Sequence, residues 1–480
     1  MIQNIIGRDW HIQEMNDALT TKKPEFMALT GRRRVGKTYL ISQVYGNHID
    51  YELTGLHKGT KKEQIENFIM MMEAYLPSKI KNKKPTTWLS AFKLLGEALD
   101  KKKKKSKIVI FIDELPWVAT KRSGFLTALS WFWNSWAVKK NALVIICGSA
   151  ASWMIDNVIG DKGGLHNRVT RLLKLAPFSL FETEAFLTSK NIKLNRYQIA
   201  QLYMTMGGIP MYLDMVKKNL SAIQNIQALC FNVEGFLKTE FDRLFSSLFD
   251  NYETHVNIVE TLAKKKMGMT RQELVEKSKM TNGGMLTKVL KELKHSGFVE
   301  EYGCLGKIEK DSLFRLVDAY SLFYLTYIQK LTKTANYTFT NFNDLPSWKT
   351  WTGYAFENVC FAHIYQIKKA LSINGISSSI ASFIAKPKDG LAGTQIDLLI
   401  DRNDNCMNVC EMKYASNTYS ITKVDIKSIE TKKQVLTYHT KTKKHLFTTL
   451  VTTHAVTNNE YKLNDINQVV LLDDLFKKEV

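Results

Sequence analysis

The chain has 480 residues, 45% of them hydrophobic, which is enough for several cores and corresponds to roughly three domains. Lysine and arginine number 67 against 46 aspartates and glutamates, a formal net charge of +21, so the partner to expect is a polyanion: nucleic acid or an anionic membrane surface. No stretch reaches about 18 apolar residues and no apolar core follows a basic start, so neither a membrane span nor a secretory leader is expected. Scattered cysteines, with Cys406 and Cys410 lacking the further ligands a zinc site needs, fit a reducing cytoplasm.

The first predicted element is a strand, Phe26–Thr30. It runs into Gly31, Arg32, Arg33, Arg34, Val35, Gly36, Lys37 and Thr38, which fit the phosphate-loop spacing G-x4-G-K-[ST], and a helical run follows from Thr38. Glycines there let backbone N–H groups wrap a phosphate. Lys37 can reach the β- and γ-phosphates of ATP, and Thr38 can ligate Mg²⁺. A second apolar strand begins at Lys107 and ends in Asp113 and Glu114. Asp113 is placed to hold Mg²⁺ through water, and Glu114 to orient and polarise an attacking water. The lysine run Lys101–Lys105 just before it reads as a solvated loop. A third strand, Ala142–Cys147, leads to Gly148 and Ser149. Ser149 is the candidate γ-phosphate sensor, with an ordinary strand-to-turn serine as the alternative.

The aromatic run Leu129–Trp136 has near-helical spacing and reads as core, with base stacking as the sharper alternative. In the segment from Gly163 to Arg171, Arg168 is a candidate arginine finger for a γ-phosphate of its own subunit or a neighbour's; a structural arginine is the other reading. From Pro177 to about 248 the chain reads as helical, broken at Gly207–Pro210. Residues 250–318 read as three helices (Glu253–Lys265, Gln272–Lys277 and Leu286–His295) and a hairpin (Phe298–Tyr302 and Leu313–Val317) with glycines at its tip. That is a winged-helix layout. Lys288, Lys291 and Lys294 line its third helix and can meet DNA phosphates; a pure packing role is the alternative.

The last segment opens with a predicted amphipathic helix, Trp351–Tyr365, carrying Glu357. Two strands follow, Gln395–Ile400 with Asp397, and Asn408–Lys413 with Glu411 and Lys413. Alternation puts Glu411 and Lys413 on one face, and a hairpin lets Asp397 sit opposite them. Two carboxylates for Mg²⁺ beside a lysine suit metal-assisted phosphodiester hydrolysis, with Lys413 steadying the nucleophile or the phosphate and Glu357 as a further acidic ligand.

Taken together, Gly31–Thr38, Phe111–Trp117, Cys147–Trp153, Gly207–Pro210, Gly353–Glu357 and the Asp397, Glu411, Lys413 set resemble a prokaryotic family of archaeal-type AAA+ ATPases with a C-terminal domain of the PD-(D/E)xK restriction-endonuclease kind. The resemblance implies an α/β protein: a P-loop AAA+ ATPase core at 1–172, a helical lid at 173–248, a winged-helix domain at 249–318, a helical connector at 319–350 and a restriction-endonuclease-like α/β domain at 351–480. It implies ATP and Mg²⁺ as cofactors and DNA as the partner, with a homo-oligomer or protein partner as a further expectation. Ile396 stands where the motif's name places proline. A non-nucleolytic ATP switch and a winged-helix regulator are the rival readings.

Overall fold

The computed structural model describes residues 5–77, 84–102, 106–120, 122–160, 165, 167–265, 267–305, 312–332 and 346–479. Gly163 and Gly164, the end of the lysine run (Lys103–Lys105) and the expected hairpin tip at Gly306 lie outside them. The chain divides into two compact units, Met1–Pro177 and Phe178–Val480.

The first unit is built on a parallel sheet of β1 (Glu25–Gly31), β2 (Ile49–Thr54), β3 (Ile108–Asp113), β4 (Ala142–Cys147) and β5 (Arg171–Leu175), in the order β2-β3-β4-β1-β5. The apolar runs of β1 and β4 are buried along their whole length, as central parallel strands are when helices cover both faces. Pairing of Leu29 with Cys147 and of Ile112 with Ile146 brings the C-terminal ends of β1, β3 and β4 level at one edge. The aromatic run is mostly core. Within α1 (Phe125–Ser135), Phe132 and Trp133 are buried, and Trp133 stacks on Phe26 at 5.0 Å between ring centroids. Burying a side chain such as Phe132 stabilises the unit by about 2 kcal/mol. Of the lysine run, Lys102 is tied down: it pairs with the buried Asp50 at 2.7 Å. Strand β5 runs to Leu175, past the expected boundary at 172.

The second unit starts with the helices Leu180–Ser189, Arg196–Met206, Pro210–Asp214, Ala222–Cys230 and Glu240–Leu248. Gly207 breaks the series at φ 66°. Next come α2 (Tyr252–Lys264), the two-residue strand β6 (Met269–Thr270), α3 (Arg271–Ser278), α4 (Gly284–His295), β7 (Val299–Cys304) and β8 (Leu313–Leu316). Thr270 and Glu273 form a reciprocal capping box that starts α3. Leu286, Val289, Leu290 and Leu293 recur at helical spacing and form the buried face of α4. Strand β6, too short to show a period, pairs with β8 and was not expected.

The last segment comprises α5 (Pro346–Ala362), β9 (Ser378–Ala385), β10 (Thr394–Arg402), β11 (Cys406–Lys413), α6 (Lys423–Thr440), β12 (His445–Thr452) and β13 (Gln468–Leu471). The expected single helix 351–365 is interrupted at His363. Strands β9, β10 and β11 are antiparallel neighbours, and α6 carries the chain over to β12, parallel to β11. Strand β7 pairs in parallel with β9 through Gly303 and Ala381, and Cys304 and Ser382. One sheet therefore runs β13-β12-β11-β10-β9-β7-β8-β6 among the described residues. The expected boundary at 318 cuts across hydrogen bonds, because each strand edge satisfies the other's open backbone groups.

Candidate functional site

The phosphate loop joins β1 to the helix Lys37–Tyr45. Gly31 sits at φ 147°, and a Cβ there would meet the Leu175 carbonyl oxygen at 2.3 Å, so only glycine lets β5 pass. Gly36 lies at φ 89° and Arg34 at φ 72°, left-handed turns that curl the loop. Lys37 donates to the carbonyls of Gly31 and Arg32 at 3.0 and 2.9 Å, bracing the loop from inside. Burial pulls its ammonium below the ordinary range, against the opposing charges of Asp113 and Glu114. Thr38 Oγ1 donates to Asp113 Oδ2 at 2.7 Å, so hydroxyl and carboxylate stand together beside the phosphate loop.

Glu114 sits in the left-handed region at φ 45°, a strained position for a side chain with a Cβ. Its carboxylate accepts from the Ser149 hydroxyl at 3.0 and 3.1 Å and from the Ser149 N–H at 3.3 Å. Ser149, 2% exposed, thus holds Glu114, a contact across β3 and β4 that sequence spacing does not announce. Arg32, Arg33 and Val35 complete the loop. Arg168 is exposed and is not brought to it. Thr170 donates its N–H to the Phe26 carbonyl and Arg171 pairs with Met27, so this segment enters β5 at the strand ends opposite the loop. Arg171 is structural, bound to Glu14 at 2.6 Å.

A second cluster lies in β10, β11, α5 and α6. The register pairs Leu398 with Cys410, so the next pair outward is Asp397 with Glu411, on one face. An irregularity in the β9–β10 pairing falls between Ile396 and Leu399, next to the acid, as bulges do where a strand re-aims a side chain. Asp397 accepts from Gln395 at 2.5 Å. Glu411 accepts from Lys432 at 2.7 Å and lies 3.1 Å from Lys413. Burial alone would raise the Glu411 carboxyl; Lys432 and Lys413 outweigh it and hold it below the ordinary range. Glu357 is engaged elsewhere: Arg315 of β8, 3% exposed, donates to it at 2.8 Å. Burial first, then the charge of Asp397, push Glu357 up to about 7 despite that arginine. The expected role of Glu357 as an open metal ligand is therefore replaced by an internal ion pair. Among the described residues no three acidic, histidine or cysteine side chains converge on one ion position.

Sequence reasoning missed Arg315, Lys432 and His363. The His363 ring accepts the Leu180 N–H at Nε2 (2.9 Å) and faces the Val359 carbonyl at Nδ1 (2.8 Å), so its proton sits on Nδ1.

A parallel sheet with β4 between β1 and β3, a glycine-lysine loop after β1 and an acid pair after β3 define a P-loop ATPase core. Residues 5–216 match a family described as an ATPase domain predominantly from Archaea. That match covers the phosphate loop, the acid pair after β3 and Ser149, and it supports an ATPase domain in the amino-terminal part of the chain. Over 371 residues the chain is 24% identical to an uncharacterized protein of Methanocaldococcus jannaschii, covering 76% of this chain and 78% of that one. In structure it is similar to a Walker-type ATPase of Pyrococcus abyssi, with 16% identity and a TM-score of 0.51 over 67% of this chain and 96% of that one. A weaker likeness, TM-score 0.44 at 14% identity, is to the Aeropyrum pernix ORC2 protein, over 69% and 96% of the two chains. No helix among the described residues is long and apolar enough to cross a membrane.

Proposed function

We propose that this chain binds and hydrolyses ATP with Mg²⁺, binds DNA, and carries a fused Mg²⁺-dependent nuclease domain, as a cytoplasmic protein. The observation that carries the ATP reading is the meeting of Thr38, Asp113, Glu114 and Ser149 at one edge of the sheet. Lys37 and the loop N–H groups bind the phosphates, Thr38 and Asp113 hold the cation, and Glu114, oriented by Ser149, positions the attacking water. Arg168 serves a neighbouring subunit's nucleotide in this reading, since it does not face its own.

For the nuclease the support is the pairing of Asp397 with Glu411 beside Lys413 on one face. Two carboxylates fit Mg²⁺, a hard cation that binds through one or two acids and completes its shell with water and phosphate. Burial first, then the charge of Asp397, raise Glu357, and a cation at Asp397 would relieve the second of these. In the winged helix formed by α2 to β8, α4 would lie in the major groove of DNA. The test is plasmid cleavage with Mg²⁺, with and without ATP. Product with wild type and none with Asp397→Ala is expected; no product from DNA or RNA and no Mn²⁺ binding would overturn the nuclease reading.

One observation favours a second reading. Arg315, Lys413 and Lys432 already stand against Glu357 and Glu411. A cluster neutralised from within suits a non-nucleolytic ATP switch whose C-terminal domain only binds DNA or protein, and the same assay separates the two.

A further inference from the structure

Two lysines share Glu411, and they are held differently. Lys413 lies 3.1 Å from Glu411 Oε1 and 3.4 Å from Asp425 Oδ1, so it is clamped between an acid of its own strand and one of α6. Lys432 lies 2.7 Å from Glu411 Oε2, and Glu411 is its one ion-pair partner among the described residues. Its position in α6 is unusual. Ile429 and Leu436, one turn to either side, are buried, so Lys432 stands on the core-facing stripe and its side chain is 17% exposed. An ammonium on such a stripe loses hydration that an apolar residue would not.

We propose that Lys432 is the catalytic cation of this site, the one that meets the scissile phosphate, and that Lys413 is a strut that fixes Glu411 against Asp425. This rests on the nuclease reading above. In the step concerned, a water oxygen bonds to phosphorus and the bond from phosphorus to the leaving sugar oxygen breaks. The water's proton passes to solvent and the leaving oxygen takes one up, giving a phosphomonoester and an alcohol. Lys432 turns from Glu411 to a non-bridging oxygen as negative charge gathers there. A clamped lysine would have to break two ion pairs to do the same.

The experiment compares wild type, Lys432→Met, Lys432→Gln, Lys432→Arg and Lys413→Met in the full chain. Mn²⁺ titration by calorimetry, cleavage of linear DNA with Mn²⁺ and thermal melting are measured side by side. Lys432→Met and Lys432→Gln should cut more slowly by roughly 100-fold or more, the usual loss when one charge-stabilising donor is removed. Their Mn²⁺ affinity should be equal to wild type or tighter, because a competing cation has left Glu411. Lys432→Arg should recover part of the rate, and Lys413→Met should weaken Mn²⁺ binding and lower the melting temperature. Wild-type cleavage with Lys432→Gln equally active would overturn the proposal, as would Mn²⁺ affinity lost in step with activity. Absence of cleavage and of Mn²⁺ binding in wild type would instead remove the nuclease reading. Glutamine keeps a donor to Glu411, so Lys432→Gln decides the matter if the methionine variant does not fold.

Discussion

At the scale of single residues, the ATP site is a set of short contacts whose chemistry is separable. In the proposed ATP site Lys37 is the cation for the β- and γ-phosphates, and its buried ammonium has carbonyl partners that only hold it in place. Lys37→Ala should therefore abolish tight binding of a fluorescent ATP analogue. Glu114→Gln keeps the shape and the Ser149 neighbour but cannot polarise water as a carboxylate does. Binding should persist while turnover falls by about 10²–10⁴. Equal turnover in wild type and Glu114→Gln would take Glu114 out of that role. His363 makes a different kind of prediction. Burial pushes its pKa down to about 4, and its Nε2 must stay unprotonated to accept the Leu180 N–H. The unfolded chain binds that proton near the ordinary value of about 6.5, so stability is full above it and is lost as pH falls toward about 4. The difference is on the order of 3 kcal/mol at the acid end. Urea midpoints of the second unit should drop across that window, and His363→Asn should flatten the drop.

At the scale of elements, α4 shows how neighbours temper a charge pattern. Its lysines look like a stripe of phosphate contacts, but Lys294 is paired with Glu301, and Lys288 lies 3.8 Å from Glu292. Three unpaired lysines would change the slope of log affinity against log salt by up to about three units. With Lys288 and Lys294 already facing acids, replacing Lys288, Lys291 and Lys294 with alanine should change it by fewer than about three units. Fluorescence anisotropy from 50 to 200 mM salt reads this directly, and an unchanged slope would leave α4 a packing element. The same contrast explains what the sequence made legible. Gly31, Gly36 and Lys37 are readable because a phosphate loop needs those residue types at those spacings. Asp397 and Glu411 are readable because a two-residue period puts acids on a face. Arg315, Lys432 and the hold of Ser149 on Glu114 are not, because each contact joins elements far apart in the chain. No local period encodes which side chain arrives from elsewhere. Strand β6 and the joining of β7 to β9 were illegible for a related reason: two residue pairs in each leave no hydrophobic pattern.

At the scale of the whole molecule, the two candidate sites are each built within one compact unit. Lys37, Thr38, Asp113, Glu114 and Ser149 lie before Pro177; Asp397, Glu411, Lys413 and Lys432 lie after Phe178. Each set has its own sheet and its own buried core. A change confined to one set of side chains should leave the fold of the other unit intact, since substitutions that share no partner and no core act independently. Asp397→Ala removes one of two facing carboxylates, so it should lose Mn²⁺ binding at that site and DNA cleavage while ATP turnover stays within about two-fold of wild type. Glu114→Gln should do the converse to the chemistry: ATP turnover is lost, and Mn²⁺ binding at Asp397 and Glu411 keeps its wild-type affinity. Cleavage by Glu114→Gln, measured with and without ATP, then separates two modes of action. Cleavage that requires ATP and persists in this variant makes nucleotide binding the trigger; ATP-dependent cleavage that this variant loses makes turnover the trigger. Loss of ATP turnover in Asp397→Ala would show that the two units do not act as separable parts, and would overturn the independence argued from their separate cores.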